Sequence, residues 1–145
     1  SPARPSPSSP SRGPRLLVKA GREKSLLRRH PWIFSGAVER IEGAGEAGDS
    51  VAVEATDGRF LGWATVSPAS QIRARVWSWH RDEPIAPALV AKRIAAALRR
   101  RAQTLPGLAS LRLIHGEADG LPGCICDRYD DRLVVQLLSS GAHRW

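Results

Sequence analysis

The pentapeptide RRHPW places cations directly beside an aromatic ring. Arg28 and Arg29 could neutralise phosphates, and Trp32 could stack on a base, with the imidazole of His30 lying between them. Pro31 restricts the backbone on both of its sides, so these side chains would be held in place. The pattern favours contact with a nucleic-acid strand. The alternative is a solvated helix end followed by a Trp in the core, because basic runs often do no more than face solvent.

A second group of cations and indoles alternates along residues 72–79, which read IRARVWSW. In a strand, one face would carry the apolar residues and the other would carry Arg73, Arg75, Trp77 and Trp79. Cations interleaved with indoles suit phosphate neutralisation combined with base stacking. The alternative is a barrel surface that packs its Trp side chains against a neighbouring domain, with the Arg stems lying over them.

The positive charge is concentrated at the front of the chain. The net charge is +8, and residues 1–30 hold eight Arg or Lys against one acid, whereas residues 31–145 hold fourteen basic and thirteen acidic residues. Such a field attracts polyanions without conferring sequence specificity. Nucleic acid is therefore the first expected partner and an anionic membrane surface the second. Arg22 and Lys24 lie in this basic segment and join the candidate RNA contacts.

No convincing catalytic group emerges from the sequence. Glu117, Asp119 and Asp127 cluster around the turn GEADGLPG and could do acid–base chemistry, but acids and glycines also simply make turns, which is the favoured interpretation. The sequence has no G-x-S-x-G, P-loop, H-E-x-x-H or glycine-rich nucleotide fingerprint. We therefore expect binding surfaces and no bound cofactor in this chain.

The two cysteines, Cys124 and Cys126, are separated by one residue, so a strand would place both on one face. No matching His or Cys cluster exists in the sequence to complete a metal site. We expect two small buried residues in a reducing compartment, with no metal bound.

Turn signals separate several short alternating segments in the first half of the chain. The predicted strands are 15–19, 37–42, 50–55, 59–66 and 72–79, with a helix over 22–29 and a hairpin at Thr56-Asp57-Gly58. This spacing predicts a small closed or half-open β-barrel over residues 15–82. Residues 1–14 are rich in proline and predict a disordered arm.

A linker helix and the start of a second β-rich unit are predicted next, over residues 83–107 and 108–145, which makes the fold class α+β. Asp82-Glu83-Pro84 predicts the helix start. The apolar stripe of this helix comprises Ile85, Leu89, Ile94, Leu98 and Leu105. The Arg99-Arg100-Arg101 triplet would form a solvated end that matches the helix dipole. The strands expected after it are 111–115, 124–129 and 132–139.

Composition limits the class of protein. Apolar residues make up 42% of the chain, but no apolar run approaches the roughly 18 residues that span a bilayer. The N-terminus lacks the apolar region of a secretory signal. We therefore expect a cytoplasmic protein that is not embedded in a membrane. The absence of Met predicts a processed chain or a fragment.

Three long segments resemble one known family. GREKSLLRRHPWIFSGAVERIEG, GWATVSPASQIRARVW and LIHGEADGLPGCICDRYDDRLVVQLLS are similar to the N-terminal part of bacterial ribosomal RNA large-subunit methyltransferases. These enzymes depend on S-adenosylmethionine and form 5-methylcytosine in 23S rRNA. The resemblance covers residues 16–141.

The resemblance implies a PUA domain, a small RNA-binding β-barrel, followed by the start of a central β-rich domain. It implies RNA contact from Lys24, Arg28, Arg29, His30 and Trp32. In that family a Rossmann-like domain with the cofactor site and the nucleophilic cysteine follows, and this chain is expected to stop before it. The chain alone is then expected to be inactive and to bind 23S rRNA. The alternatives are a free-standing RNA-binding accessory protein and a partner of a separately encoded catalytic chain.

Overall fold

The fold is described from a computed structural model, which defines residues 13–145. Two β-sheets are connected by a long helix, and a short helix ends the chain. The predicted arm at residues 1–14 lies almost entirely outside the described residues. None of the described helices has the length and apolar character needed to cross a bilayer.

The first sheet has six strands in the order β2-β6-β5-β4-β1-β3. Its strands are β1 (Arg15–Val18), β2 (Trp32–Phe34), β3 (Val38–Glu42), β4 (Ser50–Ala55), β5 (Phe60–Val66) and β6 (Ile72–Ser78). β1 and β4 run parallel, and every other neighbouring pair is antiparallel. The sheet curls into a half-barrel whose edges are β2 and β3, which confirms the predicted small PUA-like barrel and the α+β class.

Alternating side chains explain the core of the half-barrel. Along β4, Val51 and Val53 are fully buried while their neighbours are half-buried, as the pattern SVAVEA predicts. They pack with Leu16, Ile33 and other apolar side chains of the same cluster. The predicted hairpin also forms, because Gly58 takes the positive φ of 91° that the turn requires. Burial of this apolar face is what holds the strands together.

The segment between β1 and β2 differs from its prediction. The helix α1 (Lys24–Leu27) is one turn rather than the two expected over 22–29. β2 was not predicted, because three residues are too few to show alternation, and it pairs with β6 at the edge of the sheet. The RRHPW segment therefore links a one-turn helix to an edge strand.

The long helix α2 (Pro87–Thr104) begins later than Asp82-Glu83-Pro84 predicts. Ala86 is still extended, and Pro87 occupies the first helical position, where its missing N–H costs nothing. The predicted apolar stripe is wrong in part, because Ile94, Leu98 and Leu105 are all exposed. Ile85 and Leu89 are buried as predicted, and Ala97, which the stripe did not include, is buried with them.

The second sheet is antiparallel, in the order β7-β8-β9. Its strands are β7 (Ser110–His115), β8 (Cys124–Tyr129) and β9 (Arg132–Leu137), and α3 (Ser140–Arg144) follows them. β9 is shorter than predicted because Ser139 caps α3, accepting a hydrogen bond from the Ala142 N–H at 3.1 Å. All of β9 is exposed.

The two sheets share one buried residue, Trp77 of β6. Its side chain is 3% exposed and packs with Ile85, Ile114, Leu121 and other residues from the second half of the chain. The Arg93 guanidinium of α2 donates hydrogen bonds to the carbonyl oxygens of Trp77 and Gly120. The second cluster is therefore completed by a side chain of the first sheet.

Gly141 allows α3 to pack against β5. A Cβ at this position would overlap the hydroxyl of Thr65 and would lie 2.6 Å from Thr65 Cβ. We expect Gly141→Ala to lower the free energy of unfolding by about 1–3 kcal/mol, through overpacking. Urea denaturation measures this change. Gly45 is exposed and a Cβ there would meet nothing within 4 Å, so Gly45→Ala is the matched control, and equal stability of Gly141→Ala and the parent chain would contradict the close packing.

Candidate nucleic-acid interface

Cations from one short segment form an exposed surface around α1. This surface, called the α1 patch, comprises the cations Lys19, Arg22, Lys24, Arg28 and Arg29 together with the imidazole of His30, and all six residues are exposed. None of them forms an ion pair with a carboxylate of residues 13–145. Glu23, the acid within this segment, faces Arg59 at 3.8 Å. The patch therefore presents uncompensated positive charge.

The backbone at the end of α1 fixes where Arg28, Arg29 and His30 point. The His30 N–H donates to the Ser25 carbonyl at 3.0 Å, and the Arg29 N–H donates to the Leu26 carbonyl at 2.9 Å. These two bonds form a Schellman motif, in which the residue at the Arg29 position is left-handed. Arg29 has a φ of 65°, a conformation usually taken by glycine and unfavourable by about 1 kcal/mol for a residue with a Cβ. Arg29 thus keeps its side chain at a backbone position that glycine would occupy without strain.

A small groove lies beside the patch, between α1 and β2. Its volume is about 170 Å³, and its lining includes Arg22, Ser25, Trp32 and Phe34. Phe34 is 50% exposed, and its ring meets that of Trp32 edge-on at 6.3 Å between centroids. The sequence analysis did not identify Phe34 or Lys19 as candidate contacts. Phe34 could have been identified, because it lies two positions after Trp32 and would share its face in a strand. The groove adds an exposed ring to the cationic surface.

Trp32 is half-buried and partly engaged by the second half of the chain. Its indole Nε1 donates to Glu117 Oε1 at 3.2 Å, across 85 residues of sequence. The guanidinium of Arg75 lies 5.5 Å from the centre of the Trp32 ring and also donates to Glu117 Oε1, at 3.3 Å. Trp32 therefore has only part of its surface available for a base.

Arg73 and Arg75 are less exposed than the cations of the α1 patch. The Arg75 side chain is 15% exposed and is ion-paired with Glu117, so its charge is already compensated. Arg73 is half-buried, and its Nε donates to the Ser70 carbonyl at 3.1 Å in the turn before β6. Of the eight predicted RNA contacts, Arg22, Lys24, Arg28, Arg29 and His30 lie together in the α1 patch, with Trp32 at its border.

Trp77 and Trp79 do not share a face, contrary to the alternation expected along residues 72–79. The pairing of β5 with β6 shifts by one residue, so that Ala64 pairs with Val76 and Trp63 with Ser78. This irregularity changes the direction of the following side chains. Trp77 packs into the second cluster, as the alternative interpretation predicts, whereas Trp79 packs against the core of the half-barrel.

The acids of the GEADGLPG region are engaged by arginines. Glu117 faces Arg75, and Asp127 faces Arg112 at 2.8 Å, which lowers the pKa of Asp127. This supports the turn interpretation over paired catalytic carboxylates.

Asp119 lies at the centre of a buried ion-pair network. Its carboxylate accepts hydrogen bonds from Arg100 at 2.6 Å, from Arg101 at 2.9 Å and from the His115 N–H at 2.7 Å. Burial alone would raise the pKa of Asp119, but the Arg100 hydrogen bond and the other donors outweigh it and lower the pKa. The arginine triplet of α2 is therefore not merely a solvated helix end.

The cysteines lie on one face of β8, as predicted. Cys126 is buried in the second cluster, and Cys124 is packed against it. Burial raises the pKa of both thiols, which disfavours the nucleophilic thiolate. Within residues 13–145, no group of three or more His, Cys, Asp or Glu side chains comes together in a metal-binding arrangement.

Comparison with known proteins identifies the type of domain that the first sheet forms. Residues 16–79 match the family model of the PUA-like domain. Over 130 residues the chain is 53% identical to ribosomal RNA large subunit methyltransferase I of Erwinia tasmaniensis, an alignment that covers 88% of this chain and 33% of the relative. The enzyme of the same name from Salmonella arizonae is 50% identical over 131 residues, covering 89% and 32%. The chain thus spans about a third of the length of these relatives.

Solved structures agree on the fold. A proposed SAM-dependent methyltransferase from Streptococcus mutans superposes with a TM-score of 0.75 at 18% identity, covering 90% of this chain and 34% of the other. A proposed methyltransferase complexed with SAH gives 0.76, with the same identity and coverage. Residues 16–79 are a PUA-like domain, and the chain that contains them is similar to the N-terminal part of bacterial ribosomal RNA large subunit methyltransferase I.

Proposed function

We propose that this chain is the RNA-binding part of a ribosomal RNA methyltransferase and that it contacts RNA through the α1 patch. The observation that carries the proposal is the set of exposed cations without carboxylate partners among the described residues, beside a groove with an exposed aromatic ring. Free cations neutralise phosphates and release counterions, and aromatic rings stack on bases. The relatives are ribosomal RNA methyltransferases, which supplies the class of RNA.

The finer features of the proposal follow the family resemblance. They are a 23S rRNA substrate, cytosine C5 as the methylated position, S-adenosylmethionine as the methyl donor and the cytoplasm as the location. In this proposal the chain positions the RNA, and the transfer itself belongs to the part of the relatives that this chain does not span.

The described residues do not form a Rossmann-type site for S-adenosylmethionine. A Rossmann-type site needs parallel strands joined by a helix, with a glycine-rich turn at the helix start. The parallel pair found within residues 13–145 is β1 with β4, and the helix between these strands, α1, has four residues. We therefore assign no step of methyl transfer to residues of this chain.

Replacing Arg28 and Arg29 together by alanine tests the proposal. We expect RNA affinity to fall at least tenfold at moderate salt, and the slope of log K against log salt to flatten by about two, because two positive charges that displace counterions are lost. Alanine and arginine are equally disfavoured at a positive φ, so the backbone of Arg29 should not change. Filter-binding titrations with a 23S rRNA fragment at several salt concentrations measure both quantities.

A matched control removes the same charge elsewhere. Arg99 and Arg132 are exposed and form no ion pair with a described residue. Arg99→Ala with Arg132→Ala should leave the salt slope nearly unchanged, because these residues lie on α2 and β9 and not in the α1 patch. Equal losses of RNA affinity in both double variants would indicate a general effect of net charge and would contradict an interface at the α1 patch. Failure of the parent chain to bind RNA would contradict the proposal as a whole.

A further inference from the structure

Within the α1 patch, Arg29 differs from the other cations because its guanidinium lies over an aromatic ring. Arg29 Cζ is 5.1 Å from the centre of the Trp79 ring, within the range of a cation–π contact. In the other pair near the patch, Arg75 with Trp32, the cation is half-buried and held by Glu117. Arg29 is exposed, and no carboxylate of residues 13–145 lies within 4.0 Å of it.

The ring beneath Arg29 is fixed. Trp79 follows β6 directly and packs against the core cluster of the half-barrel. Gly62 of β5 is a neighbour of the ring, since a Cβ at this position would be in van der Waals contact with Trp79 Cε3, at 3.6 Å. A cation held on an immobile indole keeps its own planar orientation better than a free surface arginine does.

The backbone conformation at Arg29 also indicates a special role for this residue. Its left-handed conformation in the Schellman motif is one in which glycine would be favoured. Strained residues of this kind cluster at functional sites, so the conformation indicates a role for the Arg29 side chain. The adjacent Arg28 and His30 share the exposed surface, so a strand bound there would have phosphate partners on both sides of Arg29.

We propose that the Arg29 guanidinium, stacked on Trp79, is a platform for an unpaired RNA base, which makes the α1 patch selective for single-stranded loops or ends over continuous duplex. This inference rests on the proposed function. Guanidinium planes stack on bases, but only a base released from its helix can offer a face to them. The planar group is the decisive feature, since a lysine would supply the same charge without the plane.

Arg29→Lys separates stacking from charge. We expect its affinity for an RNA hairpin with an unpaired loop to fall about tenfold, while its affinity for a duplex of the same length and the salt slope on both RNAs stay unchanged. Arg29→Gly should lose the same loop preference with a salt slope lower by about one, and its Tm should not fall below that of the parent chain, because glycine suits the backbone. Arg99→Lys is the matched control.

The outcomes distinguish the two proposals. If the parent chain binds hairpin RNA with a steep salt dependence and Arg29→Lys binds both RNAs as the parent does, the stacking platform is wrong and RNA binding stands. Equal losses of Arg29→Lys on hairpin and duplex would also overturn the platform. If the parent chain binds neither RNA, the proposed function itself fails.

Discussion

Trp77→Ala is expected to lower the free energy of unfolding by about 3–5 kcal/mol, the range for removing a buried Trp side chain. The indole lies between the two sheets and is 3% exposed. Its Nε1 also donates to the Thr65 hydroxyl at 2.9 Å, which would be left without this partner. The melting temperature should fall by roughly 10–20 °C, as measured by circular dichroism.

Trp77→Phe controls for the ring itself. It keeps an aromatic side chain in the cluster but removes the hydrogen bond to Thr65, so we expect a smaller loss than for Trp77→Ala. Trp145, which is 37% exposed, provides a surface comparison, and Trp145→Ala should cost less than Trp77→Ala. A Trp77→Ala variant as stable as the parent would show that the two sheets do not depend on this residue.

Asp119→Ala is expected to cost about 3 kcal/mol, the lower end for breaking a buried ion pair, because Arg100 and Arg101 keep some access to water. The carboxylate is 2% exposed and joins the end of α2 to β7. Without it, two arginines and the His115 N–H lose their acceptor. Chemical denaturation at neutral pH measures the loss, and Asp131→Ala, at an exposed turn, is the matched control.

The same carboxylate predicts a pH dependence. Because the pKa of Asp119 is lower in the folded chain than its ordinary value near 4, its contribution is complete above that value. The contribution is lost as the pH falls through the lowered pKa of the folded state. Denaturation curves from pH 7 down to pH 2 should therefore show a steeper loss for the parent chain than for Asp119→Asn. Parallel curves would contradict the ion-pair network.

Local patterns predicted the half-barrel well. The alternation of β4 and the turn at Gly58 depend on neighbouring residues, so the sequence is enough to identify them. β2 was missed because three residues carry no period, and the common face of Trp77 and Trp79 was wrong because a register shift with β5 intervenes. A shift of this kind depends on a partner strand that no local pattern reveals.

The sequence predicted the positive charge of the candidate interface but not the side-chain contacts around it. The basic segment around Arg28 is visible in the composition, and the structure leaves it exposed. The pairing of Arg75 with Glu117 joins residues 42 positions apart, so Arg75 reads as a free cation in the sequence. In the same way, the burial of Asp119 depends on arginines 18 and 19 positions away.

The position of Trp77 shows that two ways of dividing this protein into units give different boundaries. Residues 16–79 match a recognisable PUA-like domain, yet the last strand of that domain inserts the Trp77 indole into a cluster that otherwise consists of buried side chains from residues 85–126. A peptide cut at residue 79 would turn this indole toward water and would tend to associate. The matched domain and the packed unit to which Trp77 contributes therefore have different boundaries.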